Sequence, residues 1–398
     1  MWPSAKLKFV ARFGYGDALP TDEAQDGPFR VFGSNGPYTS FSRANTGAPA
    51  IVVGRKGSYG KVNWTPEPCF ASDTTFFVDE STSRNDLRWI YWLLQTLRLD
   101  EGTDEAAVPG LNRESAYSRD VVVPPLPQQR AIAQYLDRET ARLDALVAAK
   151  ERVLGLLAEK RRALITRAVT RGLDPRAPLR AASIPWLGGI PAHWDVIPLK
   201  HACVLIKDGT HLPPERTMTG IPLLSVRNVV GETFRTLPDD SLIAEEDYEA
   251  LCRGFRVEEN DVLLAIVGAT LGKVAVVGDM PRFHIQRSLA TLRANPMLLD
   301  FSYLASCLRS DWFQTNLWES VSFSAQPGIY LGSLRDFVVT RPPIEEQRAI
   351  VAHVSAETDK LDAVRSATER TIALLEERRA ALIAAAVTGK IDVWEAIA

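Results

Sequence analysis

Two glycine–lysine pairs, Gly60-Lys61 and Gly272-Lys273, are the first residues in this sequence whose types and spacing could do chemistry. Each follows an apolar run, as the phosphate-binding lysine of a nucleotide site does. Such a site also needs an earlier glycine and a hydroxyl residue directly after the lysine. The sequence places other residues there: Arg55 and Val267 for the glycine, Val62 and Val274 for the hydroxyl residue. We therefore expect no nucleotide site. Two interpretations of the lysines stay open, a contact with a nucleic-acid phosphate or a solvated surface position.

Metal, cofactor and catalytic motifs are the next possibilities. The five histidines and four cysteines follow no metal-ligand spacing. The Pro-Pro pairs lack the neighbours of an amino-methyltransferase motif, and Phe13–Gly16 is a poor match to a cofactor loop. We expect no metal, no cofactor bound by this chain and no catalysis by the chain itself. Widely spaced cysteines indicate a reducing cytoplasm, and no apolar run is long enough to span a membrane.

A net charge of −3 does not mark the chain as a nucleic-acid binder, so any such contact must come from local groups. Base recognition needs polar side chains on loops that reach a groove. The first half of the sequence offers Ser34, Asn35, Tyr38, Arg55, Lys56 and Lys61. The second half offers Lys207, Thr210, His211, Arg227, Asn228, Lys273, Gln286, Arg287 and Ser288. For each residue the alternative is a solvated loop or a turn-stabilising side chain.

An internal repeat determines how these loops are organised. The segment Pro124–Ile132 recurs as Pro342–Ile350, and the offset of 218 residues holds without a gap to Asp174 and Asp392. About half of the aligned positions are identical. The segments before these copies also match, more weakly. The chain is therefore predicted to run as globule, long segment, globule, long segment.

Each ungapped copy predicts one long helix, because a Pro-Pro pair precedes it and apolar residues follow at alternating spacings of four and three. Polar residues interrupt this apolar seam at matching places: Glu139 and Glu357, Lys150 and Thr368, Lys160 and Arg378. We expect the helices to pair as a coiled coil; the alternative is that each packs only on its own globule. The predicted seam residues are Ile132, Leu136, Leu143, Leu146, Val153, Leu157, Leu164, Ile350, Val354, Leu361, Val364, Ile372, Leu375 and Leu382.

The predicted fold class is α+β, with two mixed α/β globules, each followed by a long helix. The two helices would form an antiparallel coiled coil with pseudo-twofold symmetry. The expected boundaries are 1–123 for the first globule, 124–174 for a central helical spacer, 175–193 for a connector, 194–341 for the second globule and 342–392 for a C-terminal helical spacer.

With these motifs in place, the sequence resembles the specificity subunits of type I restriction-modification enzymes. The resemblance covers essentially the whole chain. It rests on the P-P-L-x-x-Q and P-P-I-x-x-Q helix starts, the repeated E-T-x-x-L-D-A, the R-x-A-L-I near each helix end and the connector I-P-W-L-G-x-I-P-x-H-W. The loop Asp100–Glu105 departs from it, being more acidic than expected beside DNA.

The resemblance implies that each globule is a target recognition domain that reads half of a bipartite DNA sequence. It implies partners as well: double-stranded DNA, two modification (methyltransferase) subunits and the translocating restriction subunits. S-adenosylmethionine, ATP and Mg²⁺ would then be held by those subunits. The alternative function is a coiled-coil adaptor with two protein-binding globules and no role on DNA.

Overall fold

The computed structural model describes residues 2–20, 26–101, 110–182, 184, 187–321 and 327–393. Most of the acidic loop and part of the connector motif, including Trp186, lie outside the described residues. The chain divides into two compact units. Unit 1 consists of Met1–Arg152 with Thr368–Ala398, and unit 2 of Val153–Ala367.

Unit 1 has the following elements in chain order: β1 (Ser4–Lys6), β2 (Gly14–Tyr15), β3 (Phe29–Gly33), β4 (Gly36–Phe41), β5 (Ala50–Gly54), β6 (Val62–Thr65), β7 (Phe70–Ala71), β8 (Thr75–Val78), α1 (Leu87–Thr96), α2 (Arg113–Tyr117), β9 (Asp120–Val122) and α3 (Leu126–Arg171). It is built on a four-stranded antiparallel sheet in the order β2-β8-β5-β6 and a smaller sheet in the order β4-β3-β7, in which β3 and β7 are parallel. A separate pair joins β1 to β9 just before the first long helix.

Unit 2 repeats this plan and adds to it. Its elements are β10 (Leu179–Ala181), β11 (Gly189–Pro191), β12 (Asp195–Pro198), α4 (Leu199–Ala202), β13 (Cys203–Asp208), β14 (Ile221–Leu224), β15 (Val229–Val230), β16 (Thr233–Phe234), β17 (Leu242–Ile243), α5 (Glu245–Cys252), β18 (Val262–Ala265), β19 (Val274–Val276), β20 (His284–Ile285), β21 (Leu289–Ala294), α6 (Phe301–Arg309), α7 (Asp311–Glu319), α8 (Leu331–Asp336), β22 (Val338–Arg341) and α9 (Ile344–Val387). The order β13-β21-β18-β19 matches β2-β8-β5-β6, and the β15–β16 hairpin extends that sheet. The parallel pair β14-β20 matches β3-β7.

The central strands β5 and β18 are buried along their whole length, which explains their unbroken apolar sequences. A strand with both faces covered has no solvent side that favours polar residues. In unit 1, α1 covers the sheet with Trp89 and Ile90, which share one core with Ile132 and Leu136 of α3. The mixed α/β globules, each followed by a long helix, confirm the predicted fold class.

A buried glutamine fixes the start of each long helix. Gln129 donates to the carbonyl of Pro124 at 2.9 Å and accepts from the backbone N–H of Asp86 at 2.8 Å. Gln347 does the same with Pro342 and Asp300, at 2.8 Å in both cases. Asp86 and Asp300 cap the N-termini of α1 and α6. The glutamine of the P-P-x-x-x-Q motif therefore ties each long helix to the capped end of a domain helix.

A tryptophan covers the glycine that follows a long helix in each unit. Gly172, after α3, has a left-handed φ of 73°, and Gly389, after α9, has 74°. A Cβ on Gly172 would meet Trp194 at 3.1 Å, and one on Gly389 would meet Trp2 at 2.7 Å. Glycine is thus required for the helix-ending conformation and, at Gly389, for the close approach of the ring.

The long helices run antiparallel within each unit. In unit 1, Ile132 and Leu136 of α3 share a core with Ile383 and Val387 of α9. In unit 2, Ile165 and Val169 of α3 share a core with Ile350 and Val354. Residues later in α3 therefore meet residues earlier in α9. Both helices lie inside the predicted ranges 124–174 and 342–392.

The seam prediction is wrong at three positions, since Leu146, Val153 and Val364 are 45%, 37% and 48% exposed. The less exposed residues at those places are Val147 and Leu154 on α3. The buried polar residue next to Glu139 is Thr140, with Thr358 as its counterpart. A single step along a helix turns a side chain by about 100°. At Leu146 and Val153 the predicted seam therefore lies one residue away from the face that makes the contact.

None of the helices in the described residues combines the length and the apolar composition that a membrane span requires.

Candidate nucleic-acid interface

Most of the candidate residues of unit 1 lie together on one concave surface, formed by the β3–β4 turn Ser34–Tyr38 and the β7–β8 loop Ser72–Thr74. We call it surface 1. The two segments line a pocket of about 360 Å³. Tyr38 is 61% exposed at its rim. Arg55 and Lys56 join the same surface, because their backbone N–H groups donate to the carbonyl of Thr74.

Lys61 does not extend freely from its glycine turn. Its Nζ donates to the backbone carbonyl of Asn35 at 2.8 Å and to Oδ1 of the same residue at 2.9 Å. The lysine therefore holds the Ser34–Tyr38 turn in place while its side chain stays exposed. Of the two interpretations, a wholly solvated lysine does not describe this geometry.

Arg55 is held by an aromatic ring. Its guanidinium lies 5.2 Å from the ring centre of Tyr15, and that of Arg113 lies 4.9 Å from the same ring. Arg55 also donates to the carbonyl of Asp73 at 3.2 Å. Two cations on one half-exposed tyrosine form a positive edge beside surface 1. No sequence pattern pointed to Arg113, which is far away in the chain and reaches Tyr15 only in the fold.

The corresponding surface of unit 2, surface 2, brings together Lys207–His211 and Gln286–Ser288. Thr210 donates its N–H to Ile285, and Arg287 donates its N–H to Thr210. His211 is paired with Asp208 at 2.6 Å. Lys207, His211 and Arg287 are exposed. Within the described residues, the Arg287 side chain has no recorded hydrogen bond, so its five donors are available to a ligand.

Arg227 and Asn228 are used by the fold. The Arg227 guanidinium pairs with Asp239 at 2.8 Å and with Asp240 at 2.8 Å, and these hydrogen bonds raise the pKa of Arg227 while lowering the pKa of Asp239. Asn228 is fully buried, donates to Asp240 and accepts from the N–H of Ser225 at 2.9 Å. An interior amide cannot meet a base edge, so Asn228 is corrected to a loop-stabilising residue.

Lys273 is exposed on the β18–β19 turn, next to α7. A Cβ on the adjacent Gly272 would lie 2.1 Å from Oε1 of Gln314 in α7, so a larger residue there would force the glutamine to move. In the described part of unit 2, no hydrogen bond joins the Lys273 side chain to surface 2. The structure therefore does not group Lys273 with Lys207 and Arg287.

Backbone contacts reveal residues that the sequence reasoning missed. Gly16 and Gly209 each pack where a short strand passes into the following loop. A Cβ on Gly16 would lie 2.0 Å from the Ser72 carbonyl oxygen, and one on Gly209 would lie 2.2 Å from the Ile285 carbonyl oxygen. Thr75 donates its N–H to Ser72, and Leu289 donates its N–H to Gln286. The loop Ser72–Thr74 is thus the counterpart of Gln286–Ser288. The only signal in the sequence was a glycine after an apolar strand, which does not identify these loops without the backbone hydrogen bonds seen in the structure.

Among the described residues, no group of three or more His, Cys, Asp or Glu side chains is placed to hold a metal ion. What the two surfaces offer is hydrogen-bond donors and acceptors on loops, with arginine and lysine near them. This arrangement can recognise a polar ligand, and nucleic acid is one such ligand.

The chain is similar to known proteins over most of its length. No protein-family model matches it. The specificity subunit of the type I restriction enzyme EcoBI from Escherichia coli is 23% identical over 356 residues, which is 87% of this chain and 74% of that protein. The specificity subunit of the type I restriction enzyme MjaVIII from Methanocaldococcus jannaschii is 23% identical over 318 residues, 76% of this chain and 70% of that protein.

Among solved structures, a chain from a study of complex assembly and conformational transition in a type I R-M system has a TM-score of 0.71 to this one. The match covers 98% of both chains at 17% sequence identity. The fold is therefore one found in type I restriction-modification systems. Together with the curated relatives, this confirms the resemblance seen in the sequence: over most of its length the chain is similar to type I specificity subunits.

Proposed function

We propose that this chain is the DNA-recognition subunit of a type I restriction-modification complex and works in the cytoplasm. Each unit would read one half of a bipartite DNA target through its own surface. The observation that carries the proposal is the matched framework of the two units, in which the Ser72–Thr74 and Gln286–Ser288 loops occupy equivalent places with unlike side chains. Equivalent frames with different side chains are what two half-sites of different sequence require.

The electrostatics support local recognition over general attraction. A chain of net charge −3 has no large positive field to hold DNA. Arginine and lysine are instead placed beside the reading loops, at Arg55 and Lys56 in unit 1 and at Lys207 and Arg287 in unit 2. Part of the affinity for DNA must therefore come from partner subunits.

We also propose that the chain does no chemistry of its own. Two modification subunits would methylate the target adenine, and restriction subunits would cleave DNA. S-adenosylmethionine, ATP and Mg²⁺ would be bound by those partners and not by this chain. The adenine must leave the base stack to be methylated, and this chain would place the partner over it.

Exchange of one loop tests the proposal. The complex with both partner subunits is incubated with a library of random DNA, and the methylated sequences are read. Replacing Gln286–Ser288 by the three residues Ser-Asp-Thr of unit 1 should change one half of the target and leave the other half unchanged. A matched control replaces the exposed Glu246 and Glu259, also in unit 2, by glutamine. A change in both halves, or in neither, would contradict independent readout.

A second experiment tests the absence of catalysis. The purified chain alone is incubated with target DNA and labelled S-adenosylmethionine, in parallel with the complex. The complex should label the DNA, whereas the chain alone should not. Methyl transfer by the isolated chain would remove the non-catalytic assignment.

A further inference from the structure

Unit 2 contains a cleft of about 680 Å³ between α6, the β15–β16 turn and the parts of α3 and α9 that belong to this unit. The size is typical of a site that takes a ligand or a few side chains. Small residues form much of its wall. These are Val276, Ser302, Ala305, Ser306 and Ser355.

Each of these five residues has a definite counterpart in unit 1. The capping residues Asp86 and Asp300 are bound by equivalent glutamines, which aligns α1 with α6. Gly54 donates its N–H to the carbonyl of Lys61, and Ala265 donates its N–H to the carbonyl of Lys273, which aligns β5 with β18. The strands paired with them, β6 and β19, are aligned as a result. The offset of 218 residues aligns α3 with α9. The counterparts, in the same order, are Trp64, Arg88, Tyr91, Trp92 and Asp137.

In unit 1 these five larger residues form a single cluster. The Arg88 guanidinium lies 4.8 Å from the ring centre of Trp64, 4.6 Å from that of Tyr91 and 5.2 Å from that of Trp92. Asp137 accepts from Arg88 Nε at 2.8 Å and from the Trp92 indole N–H at 2.9 Å. An arginine enclosed by aromatic rings and neutralised by a carboxylate is well stabilised.

The cleft of unit 2 is therefore the place where that cluster is missing. All five positions carry smaller side chains, and all five line the empty volume. Random drift toward small residues at five positions that meet in space would leave a destabilising void. The unit 1 cluster also shows which side chains such a groove accommodates, namely aromatic rings beside an arginine.

The charges around the cleft leave one carboxylate available. Glu232 is held by Arg161 at 2.7 Å and Arg309 at 3.0 Å, and Asp362 is held by Arg161 at 2.8 Å. Asp359 is exposed in the cleft wall, one helical turn after Ser355. Among the described residues, no ion pair is recorded for it. Asp359 can therefore accept an arginine in the way that Asp137 accepts Arg88.

We propose that the cleft of unit 2 is a docking site for an aromatic side chain and a neighbouring arginine of a protein partner, with the arginine on Asp359. This rests on the proposed function, under which the partner is one of the two modification subunits. Because unit 1 fills the equivalent groove with its own residues, the partner makes this contact in one half of the complex only.

Filling the cleft from within tests the proposal. The double variant Ala305→Tyr/Ser306→Trp copies the side chains of unit 1. Binding of the modification subunit to the full chain is measured by analytical ultracentrifugation and native mass spectrometry. The wild-type chain should bind two copies. The filled variant should bind one copy as before and the second about 30-fold more weakly, within the range for loss of an aromatic anchor.

A matched control and a milder variant accompany the double variant. Met297→Trp adds a tryptophan at an 81% exposed position before α6, away from the cleft wall, and should bind two copies normally. Asp359→Asn keeps the shape but removes the charge, and should weaken the second copy about fivefold at low salt and less at high salt.

Labelling after folding covers the case in which the filled variant does not fold. Ser355→Cys, at an exposed position of the cleft wall, is treated with a bulky maleimide in a Cys252→Ser background. The buried thiols of Cys69, Cys203 and Cys307 stay protonated, since burial raises the pKa of each, to about 12 for Cys203 and Cys307. The label should block the second copy. Full binding of both copies by the labelled and filled chains would overturn the proposal. Failure of the wild-type chain to bind any modification subunit would instead overturn the proposed function.

Discussion

Asp144 accepts a hydrogen bond from Arg379 at 2.8 Å, and this ion pair is equivalent, through the internal repeat, to the one between Asp362 and Arg161. The offset of 218 residues takes Asp144 to Asp362 and Arg161 to Arg379. One contact is therefore made twice, once in each unit, with donor and acceptor helices exchanged. This is what antiparallel pairing of two copies of one helix requires.

The two ion pairs are expected to differ in strength. Asp144 is 55% exposed and Arg379 30% exposed, so Arg379→Ala should lower the free energy of unfolding by only about 0.5 kcal/mol. Arg161 is 24% exposed and also binds Glu232. Arg161→Ala should cost about 2 kcal/mol, because Asp362 and Glu232 each lose a charged hydrogen bond, although Arg309 still holds Glu232. Urea denaturation measures both, with the exposed Arg370→Ala as control. Equal effects would contradict this ranking.

The buried glutamines at the helix starts are expected to be important for stability. Gln129→Ala and Gln347→Ala each leave a capped helix end and a proline carbonyl without a partner. The cost should be about 2–3 kcal/mol in each case. Gln134→Ala, at an exposed position of α3, should change the unfolding free energy by less than about 0.5 kcal/mol. A small change in unfolding free energy for Gln129→Ala or Gln347→Ala would mean that water takes over the hydrogen bonds of the missing amide.

The stability of unit 2 is expected to fall below neutral pH because of His284. Burial lowers the pKa of His284 from its ordinary 6.5, although the carbonyls of Ile285 and Phe255 oppose this. The unfolded chain then takes up a proton that the folded chain refuses. The contribution is complete above pH 6.5 and is lost as the pH falls toward the folded pKa. His284→Gln should flatten the pH dependence of the unfolding free energy between pH 7 and pH 5, whereas the exposed His201→Gln should not.

Two exposed residues at equivalent places should read different bases. Asp73 and Arg287 are the middle residues of the equivalent loops, and a carboxylate accepts from cytosine whereas a guanidinium donates to guanine. Arg287→Ala should cost about 1–3 kcal/mol of specific DNA binding and relax one position of one half-site. Asp73→Ala should relax one position of the other half-site. Selection from a DNA library by the assembled complex measures both changes. Uniform weakening on all sequences would mean phosphate contacts.

Asn228→Ala should behave differently from Arg287→Ala. Its amide is fully buried and bonded to Asp240, so removing it should destabilise the β14–β15 connection without changing base preference. Thermal unfolding of the chain and base selection by the complex separate the two effects. A changed base preference without a change in thermal stability would mean that Asn228 contacts DNA after all.

The long helices could be predicted from the sequence because their repeat has no gap. The Pro-Pro pair, the buried glutamine and the glycine after each helix are local signals that keep their meaning in the fold. The seam was harder, because Leu146 and Val147 are adjacent and only burial shows that Val147 faces inward. Apolar character alone does not distinguish two neighbouring helical faces.

The recognition loops could be predicted only in part, because their equivalence is carried by backbone contacts. Gln286–Ser288 stood out by its residue types, whereas Ser72–Thr74 did not, although the two loops share one place in the fold. Arg227 and Asn228 have the residue types of base readers, yet Asp239 and Asp240 hold them. Those acids lie beyond two short strands, at a distance in sequence that no local pattern spans.

Each long helix belongs to both units, and this affects how fragments of the chain should behave. Unit 1 needs Thr368–Val387 of α9, so a chain ending at residue 174 lacks the Ile383 and Val387 that close its core. Its own residues 150–169 are the repeat counterparts of that missing stretch. Two such fragments can therefore complete each other by exchanging helix ends, as in a domain-swapped dimer. Half of this chain should thus assemble as a symmetric pair and present surface 1 twice.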